Sequence, residues 1–181
     1  EDVAIIGPGP VGLLIAAICR SAGARHVTVI GTRDSRLALA ERFGADLTVN
    51  SNAEDPRAVL TERHGRLPDL VIEIAGVPAA QQTAVRLVRR GGRVVLGGAC
   101  GSGATLALDP DDDLLTREID VLPSFLSAGG YEPSIALLAR GGFPFAELVT
   151  HRFGLEEVER AYEVVRSRSG DVLKAVLVPA E

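Results

Sequence analysis

The sequence predicts an α/β fold with a doubly wound parallel sheet, in which helices cover both faces and form three αβα layers. Two observations support this prediction. Short apolar strand-like runs alternate along the chain with helix-like segments, which is the order of a sheet wound by right-handed βα crossovers. The runs also lack polar alternation, which is typical of strands buried on both faces. With 181 residues, the chain can form one ordinary domain, or one domain with a short appendage.

The alternation is most regular in the first part of the chain. The strand-like runs there cover residues 3–6, 26–30, 47–49, 70–74 and 93–97. The helix-like segments between them cover residues 11–22, 35–43, 56–64 and 79–88. Ser35 is a candidate N-cap of the second helix, and Gly44 follows that helix as a stop signal.

An acidic turn follows the fifth strand. Asp109, Asp111, Asp112 and Asp113 precede a helix predicted around residues 114–117. Carboxylate oxygens suit calcium or magnesium, but the spacing is not that of a calcium-binding loop, so we expect a solvated turn that caps this helix. Beyond it we predict a sixth strand over residues 121–125, a helix over 131–140, and a last unit made of strand 148–151, helix 155–167 and strand 174–178.

Composition argues against several classes of protein. The net charge of −5 and the lack of a basic stripe argue against nucleic-acid binding. Residues 3–19 carry no charge, but the stretch is broken by Gly-Pro-Gly-Pro and has no basic flank, so we expect neither a membrane span nor a signal peptide. The two cysteines, Cys19 and Cys100, have neither the number of a disulfide framework nor the spacing of a zinc site, which favours a reducing, cytoplasmic compartment. The chain lacks methionine and begins with Glu1, so we expect a segment of a larger protein.

A glycine-rich turn joins the first strand to the first helix, and it reads Gly7-Pro8-Gly9-Pro10-Val11-Gly12. In this context the first glycine allows a tight turn, the second leaves room for phosphates, and the third lets the helix press against the strand. The N-terminus of the helix offers unpaired N–H groups and a partial positive charge to an anion. The turn therefore predicts dinucleotide binding.

The end of the second strand bears on which dinucleotide is bound. A dinucleotide fold usually carries an acid there to hold the ribose hydroxyls, but this chain has Gly31, followed by Thr32 and Arg33. Without a carboxylate, Arg33 and Arg36 can make charge-assisted bonds to a 2′-phosphate, which favours NADP over NAD. Asp34 supports the alternative, because a slightly longer loop would let its carboxylate reach the ribose and restore NAD.

Further motifs accompany the glycine turn. They lie at residues 36–40 leading into 43–46, at 69–73 with Gly76, at 87–97, and in a tail at 150–157 that closes on Gly170 and Lys174. Together they resemble the medium-chain dehydrogenase/reductase family, in particular the zinc-dependent alcohol dehydrogenases. The resemblance covers essentially the whole chain. It implies a Rossmann dinucleotide-binding domain over residues 1–145, and a C-terminal tail over 146–181 that returns to an N-terminal catalytic domain missing from this chain.

The resemblance also implies roles for particular residues. Pro10 and Val11 would lie under the pyrophosphate and the nicotinamide side, and Gly31-Thr32-Arg33 resembles the Gly-Ser-Arg of NADP-dependent secondary alcohol dehydrogenases. Other cofactor-lining residues would follow the fourth, fifth and sixth strands, and a lysine would lie near the phosphates; these are Ala75, Gly76, Val77, Gly97, Gly98, Ala99, Ser124, Phe125 and Lys174. The family commonly has a Gly-Ser pair where this chain has Pro123-Ser124.

The family's catalytic zinc would be held by the missing domain. His26, His64 and His151 do not match its ligand motifs, and Cys100 has no neighbouring base, so we assign no catalytic or metal-binding residue to this chain. The resemblance implies the cofactor-binding domain of an NAD(P)-dependent alcohol dehydrogenase that acts on a small alcohol or carbonyl compound as a homodimer or homotetramer. The alternatives are a zinc-independent quinone or enoyl reductase, a non-catalytic NAD(P) sensor and, more remotely, a methyltransferase.

Overall fold

The computed structural model describes residues 1–126, 129–167 and 171–179. The chain divides into two compact units, Glu1–Gly130 and Tyr131–Glu181. The functional division after residue 145 stays a prediction.

The first unit contains a six-stranded parallel sheet in the order β3-β2-β1-β4-β5-β6. Its strands are β1 (Asp2–Ile6), β2 (His26–Gly31), β3 (Leu47–Asn50), β4 (Leu70–Glu73), β5 (Arg93–Leu96) and β6 (Asp120–Pro123). Its helices are α1 (Pro10–Ser21), α2 (Asp34–Arg42), α3 (Pro56–His64) and α4 (Pro78–Leu87). The predicted doubly wound parallel sheet is confirmed. Because the strand order reverses between β1 and β4, a crevice forms there at the carboxyl ends of the strands, where such folds bind ligands.

The core explains why these runs form strands and helices. All five residues of β1 are buried, and α1 buries Gly12, Leu13, Ala16 and Ala17. Fully buried Phe43, at the end of α2, is followed by Gly44 with φ +93°, a left-handed conformation that ends the helix as predicted. Each large apolar side chain removed from water stabilises the fold by roughly 1.5–3 kcal/mol.

A charged network closes the amino end of the sheet. The carboxylate of Asp2 accepts from Arg25 (Nε to Oδ1, 2.7 Å) and contacts Nδ1 of His26 at 3.0 Å. The hydrogen bond from Arg25 holds the pKa of Asp2 at about 2. Asp69 accepts from the backbone N–H of Asp2 (2.7 Å) and from Nε of Arg89 (2.6 Å). The charges of Asp2 and Asp69 at this end of the sheet are therefore paired.

One prediction about the first unit is wrong, and a second, the solvated acidic turn, holds for Asp109, Asp111 and Asp112 but not for Asp113. The residue that caps α2 is Arg33, and the helix begins at Asp34, one residue before Ser35. The acidic turn forms a π-helical segment, Pro110–Leu115, and Asp109 caps it by accepting from the amides of Asp111 and Asp112. Asp113 is buried instead of solvated, because Arg86 of α4 pairs with both of its oxygens at 3.0 and 3.1 Å.

The second unit contains a two-stranded parallel sheet and two helices. Its elements are α5 (Tyr131–Arg140), β7 (His151–Gly154), α6 (Val158–Ser167) and β8 (Ala175–Val178). The strand predicted at 148–151 is misplaced, since Leu148 is buried at the end of a 3-10 turn, Phe145–Leu148. The N–H groups of Thr150 and His151 both donate to the carbonyl of Lys174, so pairing starts only there. The helix predicted from 155 begins with a 3-10 turn, Leu155–Glu157.

None of the helices in the described residues could cross a membrane, because each is too short or too polar.

Candidate functional site

The turn between β1 and α1 brings backbone groups to the crevice. Gly7 has φ +111°, a conformation that favours glycine, and its N–H donates to the carbonyl of Ile30 at 2.9 Å. Gly9 is the N-cap of α1, with Pro10 as the first helical residue. Pro10 has no N–H to leave unpaired, and the first N–H groups of an α-helix have no partner within the helix. An anion at this turn would meet the positive end of the helix.

The three glycines of the turn differ in what surrounds them. A Cβ on Gly7 would lie 2.8 Å from the backbone nitrogen of Ala75, and a Cβ on Gly12 would overlap the carbonyl oxygen of Gly7. A Cβ on Gly9 would meet nothing within 4 Å. Gly7 and Gly12 are therefore required by packing, while Gly9 borders open space. This is the pattern expected where a phosphate group comes close to the backbone, so the turn fits a dinucleotide.

The loop after β2 lies beside this turn. Gly31 is buried, and its carbonyl accepts from the backbone N–H of Ser51 at 2.8 Å. A Cβ on Gly31 would lie 2.6 Å from Cδ of Pro8, which places the glycine turn in direct contact with the end of β2. Two predicted parts of the site are thus brought together.

The next residues of this loop are those predicted to contact the adenosine ribose and its 2′-phosphate. Thr32 is exposed, Arg33 is half-buried, and Arg36 lies in the first turn of α2. Arg33 has no ion-pair partner among the residues that the structure describes. The carboxylate of Asp34, the candidate for binding NAD, accepts from the amide of Asn50 at 2.6 Å.

The loops after β4 and β5 contact each other closely. Gly76 has φ +71°, and a Cβ on it would lie 2.7 Å from the carbonyl oxygen of Ala99. A Cβ on Gly98 would lie 2.7 Å from Cα of Gly76. The side chain of Gln81 donates to the carbonyl of Gly98 at 3.0 Å. Glycine is needed on both sides of this contact, which unites two of the predicted groups of site residues.

Glu73 lies beneath these loops, and sequence reasoning did not single it out as a site residue. It is the last residue of β4 and is fully buried, and its Oε1 accepts from the N–H of Gly76 at 2.8 Å. Its Oε2 has no hydrogen-bond partner within the described parts of the chain. Burial raises the pKa of Glu73, and the amides of Gly76 and Ala75 oppose that shift. In the sequence, the only indication of this role is the position of Glu73 as an acid at the end of an apolar strand.

The remaining predicted residues are more widely spread. Val11 and Val77 are apolar and about half exposed, at 53% and 50%. Gly97 continues β5, and its N–H donates to the carbonyl of Glu73 at 2.9 Å. The N–H of Ser124 donates to the carbonyl of Leu96 at 2.9 Å, and the neighbouring Phe125 is 83% exposed at the edge of the sheet. Lys174 belongs to the second unit, where its carbonyl starts the pairing of β7 with β8.

The described residues offer no set of ligands for a zinc ion. Among the described residues, no group of three or more His, Cys, Asp or Glu side chains could hold a metal. His26 and His64 stack on each other with ring centroids 4.4 Å apart, and Nδ1 of His151 contacts the hydroxyl of Thr150 at 2.9 Å.

Comparison with known proteins agrees with this geometry. Residues 10–140 match the sequence pattern of the family described as "Zinc-binding dehydrogenase". The chain belongs to that family. A probable alcohol dehydrogenase of Mycobacterium tuberculosis is 41% identical over 164 residues, which are 88% of this chain and 45% of that protein. The chain thus spans about half the length of the relatives it matches.

Solved structures show the same fold. An alcohol dehydrogenase from Thermotoga maritima superposes with a TM-score of 0.92 at 31% identity, over 99% of this chain and 50% of that one. A putative zinc-binding dehydrogenase from Sinorhizobium meliloti, bound to NADP, gives 0.86 at 31% identity, over 99% and 52%. A short chain alcohol dehydrogenase from Escherichia coli CFT073, complexed with NADH, gives 0.85 at 27% identity, over 98% and 52%.

Proposed function

We propose that this chain is the cofactor-binding domain of an NAD(P)-dependent alcohol dehydrogenase. The observation that carries the proposal is the turn at the β1/β4 crevice, where packing requires Gly7 and Gly12 while Gly9 borders open space. N–H groups and the positive end of α1 would hold the pyrophosphate there. The residues that line the crevice would bind and orient the cofactor and leave one face of its nicotinamide exposed.

The whole protein would transfer a hydride between the nicotinamide and a small alcohol or carbonyl compound. When bound, the nicotinamide supplies the hydride chemistry. The zinc ligands and most substrate contacts would come from outside this chain, so we assign no catalytic residue to it. The 181-residue chain should bind nucleotide without turnover. A zinc-independent quinone or enoyl reductase is the alternative, and the zinc content of the full-length protein distinguishes the two.

We further propose that the site prefers NADP to NAD. Gly31 places no carboxylate at the end of β2, and Arg33, two residues further along the chain, has no ion-pair partner among the described residues. A guanidinium there would be attracted by a 2′-phosphate, and Arg36 would support it. Structures of similar proteins with NADP and with NADH leave both nucleotides compatible with the fold.

Arg33→Ala should weaken NADPH binding roughly tenfold and leave NADH binding nearly unchanged, because a charge-assisted hydrogen bond contributes about 1.5–3 kcal/mol. Titration calorimetry with both nucleotides measures this. Arg90→Ala is the matched control, since Arg90 is an exposed arginine at the amino end of β5, where it pairs with Glu118. Equal weakening of both nucleotides, or tighter NADH binding by the unchanged chain, would contradict the preference.

We also propose a homodimer or homotetramer. Among the described residues β6 is the last strand on one side of the sheet, and Leu122 on it is 45% exposed. Exposed edges of this kind pair readily with a second copy. Sedimentation equilibrium tests the proposal: a mass of two or four chains is expected, and a monomer at micromolar concentration would contradict it.

A further inference from the structure

Pro8 lies between the first two glycines of the turn and faces Gly31 at the end of β2. Both residues are buried. A Cβ on Gly31 would lie 2.6 Å from Cδ of Pro8 and 3.4 Å from Cδ2 of Leu37. Gly31 is not among the residues with positive φ, so its backbone conformation is open to any amino acid. The proline ring, not the backbone, therefore imposes glycine at position 31.

Neither side of this contact is free to move away. Gly31 pairs with Asn50 of β3, and its carbonyl accepts from the N–H of Ser51 at 2.8 Å. On the other side, the N–H of Gly7 donates to the carbonyl of Ile30 at 2.9 Å. Gly7 directly precedes Pro8 and Ile30 directly precedes Gly31, so this hydrogen bond lies beside the contact. The ring of Pro8 is itself rigid. A side chain at position 31 would thus require the turn or the strand to shift.

The position matters because an acid at the end of the second strand is the usual partner of the ribose hydroxyls. Every acidic side chain begins with a Cβ, and Pro8 fills the space where that atom would lie. Asp34, the nearest acid along the chain, already accepts from Asn50 at 2.6 Å.

We propose that Pro8 determines the choice of nucleotide: its ring keeps an acidic side chain out of position 31 and so keeps the site open to a 2′-phosphate. This inference rests on the proposed function. Pro8 acts through Gly31 and is a positioning residue. Packing against Pro8 thus accounts for the absence of a carboxylate at position 31. This effect acts in addition to the attraction of Arg33 for the 2′-phosphate.

The packing part can be measured without nucleotide. Gly31→Ala should lower Tm by roughly 3–10 °C, as overpacking does in a chain of this size, and Pro8→Ala in the same chain should restore most of the loss. Pro56→Ala, which removes the proline at the start of α3, should not restore it. Additive effects of Pro8→Ala and Gly31→Ala would overturn the contact.

The specificity part uses Gly31→Asp with NADPH and NADH in titration calorimetry. In the Pro8→Ala background, Gly31→Asp should shift the ratio of the two Kd values toward NADH at least tenfold with a nearly normal Tm. With Pro8 present, or with Pro56→Ala instead, Gly31→Asp should lower Tm and shift the ratio much less. The same shift and Tm with and without Pro8 would overturn the proposal. If the unchanged chain binds neither nucleotide, the proposed function fails instead. The Tm values of the single and double variants at positions 8 and 31 still test the contact between Pro8 and Gly31.

Discussion

Gly12→Ala will lower the free energy of unfolding by about 1–3 kcal/mol, because the new Cβ overlaps the carbonyl oxygen of Gly7 and forces α1 away from β1. Nucleotide binding will be lost together with stability, since the N-terminus of α1 leaves its place at the crevice. Urea unfolding followed by circular dichroism, together with calorimetric titration of NADPH, measures both effects.

Gly9→Ala is the matched comparison for this prediction. A Cβ on Gly9 meets nothing within 4 Å, and its φ of −82° suits alanine, so unfolding should change by less than about 1 kcal/mol. The methyl group would instead occupy the space of a phosphate, and NADPH binding should weaken at least tenfold. A normal affinity in the Gly9→Ala variant would contradict the location of the pyrophosphate, and equal destabilisation of both variants would contradict the packing.

Glu73→Ala will lower the free energy of unfolding by about 2–4 kcal/mol. The change leaves the partly buried N–H of Gly76 without its acceptor, which costs about 1–3 kcal/mol, and opens a cavity beneath two loops. The loops after β4 and β5 would then lose their common support, so NADPH binding should weaken as well. Glu54→Ala, at an exposed acid, is the control and should change neither quantity.

Glu73→Gln removes the titrating carboxyl group but keeps nearly the same side-chain shape. Comparing the pH dependence of the free energy of unfolding in the two proteins therefore isolates the effect of the charge. Burial raises the pKa of Glu73 above the ordinary value of 4.5, so the folded chain holds this proton more tightly than the unfolded chain. The resulting stabilisation is complete below the unfolded pKa and is lost as the pH rises through the raised folded pKa. The free energy of unfolding of the unchanged chain, relative to Glu73→Gln, should therefore fall between pH 4.5 and the raised pKa. Parallel pH profiles of the two proteins would contradict this.

Most of the first unit could be predicted from sequence, because its strands are continuous apolar runs and its helices begin at prolines or end at glycines. The boundaries of its six strands and of helices α1 to α4 agree within two residues, whereas the helix predicted around 114–117 begins four residues earlier, at Pro110. The second unit was harder, since Leu148 and Val149 look like a strand, yet Leu148 is buried in a 3-10 turn. The pairing of β7 with β8 starts at the carbonyl of Lys174, which lies 24 residues from Thr150 in sequence. The local sequence pattern around Thr150 does not contain that information.

The candidate site was predictable where a motif fixes backbone geometry, as at Gly7, Gly9 and Gly12. Contacts between distant residues could not be found in the same way. The sequence offers no sign that Pro8 touches Gly31, or that Arg86 neutralises Asp113. Glu73 looked like the polar end of a strand, and its burial depends on the loops that fold over it.

The most direct test of the central claim is a titration of the ¹⁵N-labelled 181-residue chain with NADPH, followed by amide chemical shifts. We predict that the largest changes occur at Gly9, Val11 and Gly12 and in the loops after β2, β4 and β5. The charged network around Asp2 and Asp69, at the opposite end of the sheet, should not respond. Unchanged spectra at millimolar NADPH and NADH, or changes centred on Asp2 and Asp69, would contradict the assignment of this chain as a cofactor-binding domain.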